Sequence, residues 1–450
     1  MSCGNFPGRS STDWPGSSIR LSARREGRRH AGRLLGWAEA HPGPVLLLIL
    51  VFVSTLGSLH LWLYPPSPEF NWENRWWQIA VSVARGEGYV ACKEIYFPFC
   101  GPGNQVTAMR EPLPVLLFAL IALLTDESLL AAAASGVLVN VAIVAATYFL
   151  GRELADTRTG LLAALLWALY LVPVRLFYSQ PSGDLPAALA ITCGLLYFLR
   201  ARRTRRPMEW VAAGVCLGLA MLSRSAALAV ALVLTVGLLP RLRPAALFAA
   251  AWVLTTAPWY VRNYLAFDRP VVGSTLSGYY LYRQNHILPS DDYLRFVTGG
   301  EFVPVLREMI ARRPDLRGTE NEAAMDRVYR EEGLRVIAAE PLRYLALSAH
   351  RFLMLWFNWG VREAYRQRNS PGDYLTMIQH GLLLVGAVVG LRGRWRVAWP
   401  LAATAAAWSL LFMGVMAHLA YVASVVPLLV VLTAAACTSI VARGRRPLSG

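Results

Sequence analysis

The chain has 450 residues, of which 55% are hydrophobic and only 16% are charged, and its mean hydropathy is +0.40. Several apolar runs reach or approach the roughly 20 residues that a helix needs to cross a bilayer, so the composition excludes a soluble globular protein and indicates a polytopic membrane protein. The net charge of +16 argues for nucleic acid only in a soluble domain. Here the arginines cluster in short links between apolar runs, as the positive-inside bias predicts, and no nucleic-acid partner is expected.

The N-terminal part of the chain divides into a polar tail and a first membrane helix. Residues 1–43 are rich in Ser, Gly, Pro and Arg without an apolar period, which predicts a disordered basic cytoplasmic tail. The run 44–64 is too long for the core of a signal peptide and no small-residue cleavage site follows it, so it is interpreted as the first transmembrane helix. Cys92 and Cys100 share the next outer loop; they form a disulfide in an oxidising compartment or remain two unpaired small side chains.

Further apolar runs predict nine more membrane helices, which makes about ten in total. Helices 2–7 occupy 129–265 and helices 8–10 occupy 374–438, at roughly 129–150, 159–177, 185–200, 209–223, 226–239, 245–265, 374–391, 398–416 and 418–438. With a cytoplasmic N-terminus, the arginine-rich links and the tail 439–450 all fall on the inner side. The sequence therefore predicts a multi-pass protein of the cell inner membrane with both termini in the cytoplasm.

Two other apolar stretches, 112–125 and 342–359, must not cross the membrane fully. One extra crossing would invert every basic link after it, so both are interpreted as helices that lie in or dip into the outer interface. The short runs 209–223 and 226–239 are interpreted as two spans with Arg224 between them. The alternative is one long tilted helix that carries a buried arginine.

Two large segments, 65–128 and 266–373, are then predicted to face outward. The second contains a predicted soluble helix, because Thr319-Glu320-Asn321-Glu322 has the form of a capping box and a charged, helix-favouring run follows as far as Pro341.

The first outer segment opens with an acidic, tryptophan-rich helix. Asn71 is a suitable N-cap, and apolar side chains recur on one face at Trp72, Trp76, Ile79 and Val83. Glu73 falls in the first turn, where the helix dipole favours a carboxylate, which is a purely structural explanation. The functional interpretation is that a carboxylate at the membrane surface acts on a lipid-borne substrate.

Charged residues of the outer segments extend this hypothesis. Arg110-Glu111 brings a cation and a second carboxylate to the same side as Glu73, which suits a base beside a phosphate-binding group. Asp184 is a further outer carboxylate or a simple helix N-cap. Three more arginines are predicted to face outward among aromatic residues: Arg224, Arg262 and Arg283. Each alone could reach up to lipid headgroups, but together they suit a phosphate joined to a long apolar tail.

Histidines are dispersed along the chain. A divalent metal could bind through Glu or Asp and one His, but no spacing requires a metal site, and no metal ligands are assigned.

Several motifs follow one another in a recognisable order: Glu73-Asn74-Arg75-Trp76-Trp77-Gln78-Ile79-Ala80, Pro112-Leu113-Pro114, Pro258-Trp259 with Arg262-Asn263-Tyr264, and Glu340-Pro341-Leu342-Arg343-Tyr344 with Arg351-Phe352. With them the chain resembles the GT-C superfamily of glycosyltransferases, in the bacterial branch similar to protein O-mannosyltransferases and the aminoarabinose transferase of lipid A. The motifs cover most of 70–360.

The resemblance implies an all-α GT-C-like bundle and an inverting transfer of a sugar from a polyprenyl-phosphate donor. It also implies that an acidic residue of the first outer loop is the catalytic base, which by position is Glu73. Trp72 stands where the family often has an aspartate, so the role rests on Glu73 or moves to Glu111. Relatives carry Glu-Lys before the proline, and the reversed order here leaves the phosphate role between Arg110 and Lys93.

We therefore expect an enzyme whose partners are a polyprenyl-phosphate sugar, membrane lipids and a lipid, glycan or protein acceptor. The candidate residues are, for catalysis, Glu73 and Glu111, and for substrate binding, Lys93, Arg110, Arg224, Arg262, Arg283 and Asn285. A transporter is the main alternative, but transporters place polar groups near the bilayer midplane, whereas the predicted spans are almost free of charge. A catalytically inactive GT-C-like scaffold is the third interpretation.

Overall fold

The computed structural model describes residues 36–69, 75–99, 105–178 and 180–444. Within these ranges the chain is almost entirely helical. Its one small sheet pairs strands β1 (Val90–Ala91) and β2 (Gln105–Val106) in antiparallel orientation. The all-α fold class predicted from the sequence is confirmed.

The first part of the chain supplies nine helices among the described residues: α1 (Pro42–Leu63), α2 (Trp76–Ala84), α3 (Pro112–Leu124), α4 (Leu129–Leu154), α5 (Thr157–Ala168), α6 (Asp184–Thr204), α7 (Pro207–Met221), α8 (Ala227–Leu238) and α9 (Leu242–Phe267). The predicted run 159–177 is interrupted, because α5 ends before a π-helical turn at Pro173–Phe177. Pro173 has no backbone N–H to continue an α-helix.

The second part continues the helical pattern with α10 (Ser277–Asn285), α11 (Gly299–Ala311), α12 (Glu322–Ala339), α13 (Pro341–Phe357), α14 (Val361–Ala364), α15 (Pro371–Arg392), α16 (Trp395–Val415), α17 (Leu419–Val422) and α18 (Val426–Gly444). The small and branched side chains of α18 are buried, with Val426, Val430 and Ala434 fully inaccessible. Helix α18 packs against α15, α5 and α4 and so forms the centre of the bundle.

Among the residues that the structure describes, ten apolar helices have the lengths and compositions of membrane-embedded segments. Six are long enough to cross a bilayer, namely α1, α4, α6, α9, α15 and α16, and four are shorter, namely α3, α7, α8 and α18. The chain is a polytopic membrane protein. Helices α7 and α8 are separate, with Arg224 in the link between them, so the alternative of one long tilted helix is wrong.

The basic links contact one another at one end of the bundle. Arg158, in the first turn of α5, forms an ion pair with Glu39, which precedes α1. Arg202, near the end of α6, donates to the backbone carbonyl of Arg396 at 2.8 Å. Contacts between links require that they lie on the same side of a bilayer. This arrangement agrees with the parity of the predicted spans, while the orientation of that end toward the cytoplasm stays a prediction.

The two predicted outer segments pack together at the other end. Trp76 and Ile79 from the first segment share one buried core with Tyr279, Phe302 and Tyr329 from the second. The two segments therefore form one body on the same side of the membrane. Cys92 in this body is disulfide-bonded, and Cys100, its predicted partner, lies outside the described residues.

Two helix starts differ from the sequence prediction. Helix α2 begins at Trp76, after Arg75 in the left-handed region with φ 68°; the predicted cap Asn71 and Glu73 lie outside the described residues. The predicted capping box at Thr319 is wrong, because the N-cap of α12 is Asn321, whose side chain accepts from the Ala324 N–H at 2.9 Å. The carboxylate of Glu322 is thereby free to point into the protein instead of back at a cap.

The orientation can be tested with two matched glycine-to-cysteine variants. A Cβ added at Gly300 or at Gly393 meets no atom within 4 Å, and both residues are exposed, one at each end of the bundle. In a background that keeps only Cys92 and Cys100, we expect a membrane-impermeant maleimide added to intact cells to label Gly300→Cys and not Gly393→Cys. Labelling of Gly393→Cys alone would invert the arrangement.

Candidate active site

A cavity of about 430 Å³ separates the apolar bundle from the outer body. Its apolar wall comes from α8 and α16 and consists of Leu228, Ala229, Leu232, Leu411, Phe412 and Val415. Its polar wall includes Arg110, Glu111, Arg224, Ser225, Ser274 and Tyr421. Leu232 and Leu411 are 48% and 37% exposed on the flank of the bundle, so the apolar end of the cavity lies next to the lipid-facing surface. The cavity is therefore amphiphilic: it is polar at one end and apolar at the other.

A buried ion pair lies at the polar end of the cavity. Arg224 binds Asp184 with both ends of its guanidinium, Nε to Oδ1 at 3.0 Å and Nη2 to Oδ2 at 2.5 Å. Asp184 is the first residue of α6 rather than its cap, since Gly183 holds the N-cap position. A Cβ at Gly183 would lie 2.3 Å from the carbonyl oxygen of Ser223, so this close approach requires glycine.

Glu111 is held in the same wall. Its Oε1 accepts from the backbone N–H of Ser225 at 2.9 Å and from Ser225 Oγ at 3.0 Å. Among the described residues no hydrogen bond to Glu111 Oε2 is formed. Glu111 is buried and holds the N-cap position of α3. Ser225 was not singled out from the sequence, and its only signal was its place directly after Arg224.

Trp76 joins the two arginines of the polar wall. The guanidinium of Arg110 lies 5.3 Å from the centre of the Trp76 ring, and that of Arg224 lies 5.9 Å from it and 5.4 Å from the Tyr421 ring. Tyr89 Oη donates to the carbonyl of Arg110 at 2.9 Å. The first described turn of α2 thus lies against the two arginines of the polar wall. The predicted catalytic residue of this segment, Glu73, lies outside the described residues.

Arg283 lies behind the cavity wall in an aromatic cage. Its Nη2 is 3.0 Å from the sulfur of Met416, and its guanidinium lies 5.1 Å from the ring of Tyr280; Met416 and Tyr280 both line the cavity. Arg283 is only 7% exposed, and its Nε is buried with no hydrogen-bond partner. No carboxylate pairs with it in the described parts of the chain.

Besides Arg283, three other predicted substrate-binding residues do not line the cavity, namely Lys93, Arg262 and Asn285. Arg262 donates to the carbonyls of Thr107 at 2.8 Å and Tyr89 at 3.3 Å. Lys93 lies with its Nζ 5.4 Å from the ring of Tyr96, which is among the residues of the outer body.

Asn285 is engaged within the outer body. Its Oδ1 accepts from Arg351 at 3.1 Å and its Nδ2 donates to the carbonyl of Leu281 at 2.7 Å. These bonds fix the end of α10, the helix that carries Arg283, so Asn285 has a structural role there.

A buried carboxylate that sequence reasoning treated only as a capping residue lies beside the site. Glu322 accepts from Thr107 Oγ1 at 2.7 Å, from the Ala108 N–H at 3.0 Å and from Thr275 Oγ1 at 2.8 Å. Burial raises the pKa of Glu322 to about 7, against the lowering effect of these hydrogen bonds. No pattern in the sequence could have shown this, because the partners are more than 40 residues away.

A metal site has no support in the described ranges. They contain no cluster of three His, Cys, Asp or Glu side chains suited to a metal ion.

The raised pKa of Glu322 predicts a pH dependence of stability. A carboxyl with an ordinary value near 4.5 and a folded value of about 7 binds its proton more tightly in the folded state, so its contribution is full below pH 4.5 and is lost as pH rises through 7. This shift corresponds to about 3 kcal/mol of unfolding free energy. Denaturant unfolding in detergent should show the wild type losing about that much relative to Glu322→Gln between pH 4.5 and 8.

Glu331→Gln, on the exposed side of the same helix, is the control for this measurement. A constant difference between the wild type and Glu322→Gln across the pH range would contradict the prediction.

One segment of the chain matches a known family. Residues 109–264, about a third of the chain, match the family described as dolichyl-phosphate-mannose-protein mannosyltransferase. The matched segment contains Arg110, Glu111 and Arg224, which belong to the polar wall of the cavity, and Asp184, which pairs with Arg224. No curated protein sequence matches the chain.

Solved structures resemble the whole fold. The archaeal oligosaccharyltransferase AglB from Archaeoglobus fulgidus, in complex with an inhibitory peptide and a dolichol-phosphate, matches with a TM-score of 0.53 and 14% identity over 90% of this chain and 51% of AglB. The apo form of the Archaeoglobus fulgidus enzyme matches with a TM-score of 0.53 and 15% identity over 89% of this chain and 51% of that chain. This chain thus spans about half the length of these relatives.

A further structure, ArnT from Cupriavidus metallidurans bound to undecaprenyl phosphate, matches with a TM-score of 0.42 and 14% identity over 86% of this chain and 77% of ArnT. Likenesses at such identities concern the fold. The chain is accordingly a polytopic membrane protein whose fold is similar to that of the archaeal oligosaccharyltransferase AglB, and its residues 109–264 match the mannosyltransferase family.

Proposed function

We propose that the chain is an inverting glycosyltransferase that moves a sugar from a polyprenyl-phosphate-linked donor to an envelope acceptor on the outer face of the cytoplasmic membrane. The observation that carries the proposal is the amphiphilic cavity. Its apolar wall, next to the lipid-facing flank of α8 and α16, suits the tail of such a donor, and its arginine-bearing end suits the phosphate. A soluble substrate would need no apolar wall of this kind.

The arginines around the cavity differ in the charge that they can offer to a phosphate. Arg224 is neutralised by Asp184 through two hydrogen bonds, so it mainly shapes the wall. Arg283 has no carboxylate partner within the described residues, and a buried uncompensated cation is costly unless an anion joins it. We assign the donor phosphate to the space between Arg110 and Arg283.

Met416 separates Arg283 from the cavity, and its side chain has three rotatable bonds, so it can move aside at small cost. The guanidinium would then meet the phosphate directly. This assignment agrees with the sequence prediction of Arg283 as a substrate-binding residue.

The chemistry needs a group that takes the proton of the acceptor hydroxyl. The acceptor oxygen attacks the anomeric carbon on the face opposite the phosphate, the bond from that carbon to the phosphate oxygen breaks, and the proton passes to a carboxylate. The phosphate leaves with its negative charge stabilised by the arginines. Attack from the opposite face inverts the anomeric configuration.

Two carboxylates are candidates for the base. Glu111 has Oε2 available at the cavity while Ser225 holds Oε1. Glu73 precedes Trp76 by three residues in the sequence, and the ring of Trp76 contacts both Arg110 and Arg224. We propose Glu73 as the base and Glu111 as a charged residue that orients the acceptor.

The tail site can be tested with two tryptophan variants of α8. Ala229→Trp fills the apolar wall of the cavity, whereas Val236→Trp lies two turns farther along the same helix, on a side chain that is 61% exposed. We expect Ala229→Trp to bind undecaprenyl phosphate at least about tenfold more weakly, a loss of about 1.4 kcal/mol, and Val236→Trp to bind like the wild type. Native mass spectrometry of detergent-solubilised protein measures both, and equal affinities would place the tail elsewhere.

The base can be tested with matched glutamate-to-glutamine variants. We expect Glu73→Gln to reduce sugar transfer by about 10²- to 10⁴-fold, the usual effect of a lost general base, and Glu111→Gln to reduce it by about tenfold. Mass spectrometry of envelope glycoconjugates in cells that carry each variant measures transfer, and Glu87→Gln in the same outer segment is the control.

The outcomes separate the alternatives. Full activity of Glu73→Gln with loss in Glu111→Gln would move the base to Glu111. Full activity of both would remove a carboxylate base from the mechanism. An envelope that is unchanged when the wild-type chain is absent would favour the inactive scaffold.

A further inference from the structure

Helix α12 carries two carboxylates that face the protein interior. Glu322 and Asp326 are one helical turn apart and therefore lie on the same face of the helix. They are 5% and 4% exposed, although α12 belongs to the outer body. Of the other two carboxylates of this helix, Glu331 is exposed and Glu332 is buried in ion pairs with Arg313 and Arg335. Buried carboxylates are rare unless they are paired or hydrogen-bonded, so their partners show what they do.

Glu322 binds the segment that delivers Arg110 and Glu111 to the cavity. Three donors converge on its carboxylate, from Thr107, Ala108 and Thr275. The Thr275 N–H also donates to the carbonyl of Ala108 at 3.1 Å, which joins the two bound segments to each other. Since Ala108 is two residues before Arg110, the carboxylate fixes the path of the chain directly before the site.

Asp326 binds the helix that delivers Tyr280 and Arg283. Its carboxylate accepts from the Gly278 N–H at 2.6 Å and from Ser277 Oγ at 3.2 Å, so it caps the N-terminus of α10 from another helix. A Cβ at Gly278 would lie 2.0 Å from the backbone carbonyl oxygen of Asp326. The contact between α10 and α12 therefore requires glycine at this position.

We propose that Glu322 and Asp326 are positioning residues of the active site, each of which fixes one wall of the donor cavity. Glu322 sets the segment with the acceptor-side carboxylate Glu111, and Asp326 sets the helix with the phosphate-side Arg283. The proposal rests on the proposed function, because the cavity is the donor site only if that function holds. Neither carboxylate lines the cavity beside the reacting atoms, and both act through the backbone that they hold.

Arg262 also fixes the segment that carries Arg110 and Glu111 to the cavity. It donates to the carbonyls of Thr107 and Tyr89, and the ring hydroxyl of Tyr89 in turn donates to the carbonyl of Arg110. Glu322 thus accepts hydrogen bonds from the Thr107 hydroxyl and the Ala108 N–H, and Arg262 donates one to the carbonyl of Thr107 in the same segment. This places Arg262, predicted from the sequence to bind substrate, among the positioning residues.

An amide replaces the carboxylate only in part at either position. Glutamine at 322 offers one acceptor oxygen in place of two, so the three donors from Thr107, Ala108 and Thr275 lose one of their two acceptor atoms. We expect Glu322→Gln to lower kcat at least about tenfold while the Kd for undecaprenyl phosphate stays within about threefold. We expect Asp326→Asn to raise that Kd about tenfold, because it loosens Arg283.

Matched variants separate positioning from general stability. Glu331→Gln should match the wild type in kcat and Kd. Thr275→Ser keeps the hydroxyl that donates to Glu322 and should retain activity, whereas the isosteric Thr275→Val removes it and should lower kcat. Equal activity of the two Thr275 variants would overturn the proposal, even if Glu322→Gln fails to fold.

Hydrogen exchange measured by mass spectrometry gives a readout that needs no activity. Glu322→Gln should speed exchange in peptides that cover 107–111, and Asp326→Asn in peptides that cover 277–281, relative to Glu331→Gln. Exchange equal to the control in both peptides would overturn the positioning roles. Absence of sugar transfer by the wild type itself would contradict the proposed function while leaving this exchange pattern to decide the positioning.

Discussion

The ion pair between Arg224 and Asp184 is the contact on which the site depends. It joins the start of α6 to the link between α7 and α8, and the Arg224 guanidinium also lies against Trp76 of α2 and Tyr421 of α17. Both charges are largely buried, and removal of one partner from such a pair costs about 3–5 kcal/mol because the other charge is left unpaired. The pair therefore fixes where four separate parts of the chain meet, and the cavity exists at that meeting point. Its cost also explains why Arg224 is a poor choice for a transient phosphate contact.

The division of charge around the cavity follows from this pair. With Arg224 neutralised by Asp184, the proposed attraction for a phosphate rests mainly on Arg283, whose contacts among the described residues include aromatic rings and the Met416 sulfur but no carboxylate. Aromatic faces attract a guanidinium without neutralising its charge, so the cage holds Arg283 in place and keeps its charge available. The apolar wall opposite lowers the local dielectric, which strengthens the attraction between the phosphate and these arginines. An amphiphilic donor is the ligand that uses both walls together.

The sequence predicted the membrane bundle better than the site. Apolar runs and arginine-rich links are local signals, so helices such as α4, α9 and α16 and the separation of α7 from α8 at Arg224 followed from them. The site depends on contacts between distant segments, which local signals do not report. Arg110, Glu111 and Arg224 do meet at the cavity, but the pairing of Arg224 with Asp184 could not be predicted, and Arg262 proved to bind backbone carbonyls. Glu322 looked like an N-terminal capping residue because its type and position fit that role equally well.

The irregular segments around the cavity explain why helix α12 of the outer body carries the buried carboxylates of Glu322 and Asp326. Residues 107–111 and 269–276 line or approach the cavity without helical hydrogen bonds of their own, and they lie beside apolar helices, where no bulk water can satisfy free backbone groups. The carboxylate of Glu322 accepts from donors on both segments, and Arg262 donates to a carbonyl of the first. The carboxylate of Asp326 accepts from the Gly278 N–H at the start of α10, which directly follows the second segment. Without these contacts, Glu111 and the start of the helix that carries Arg283 would be held too loosely for the proposed reaction, which needs the donor carbon, the acceptor oxygen and a base in line. Under that proposal the second outer segment contributes to the site through the order that it imposes, although only a few of its side chains reach the cavity.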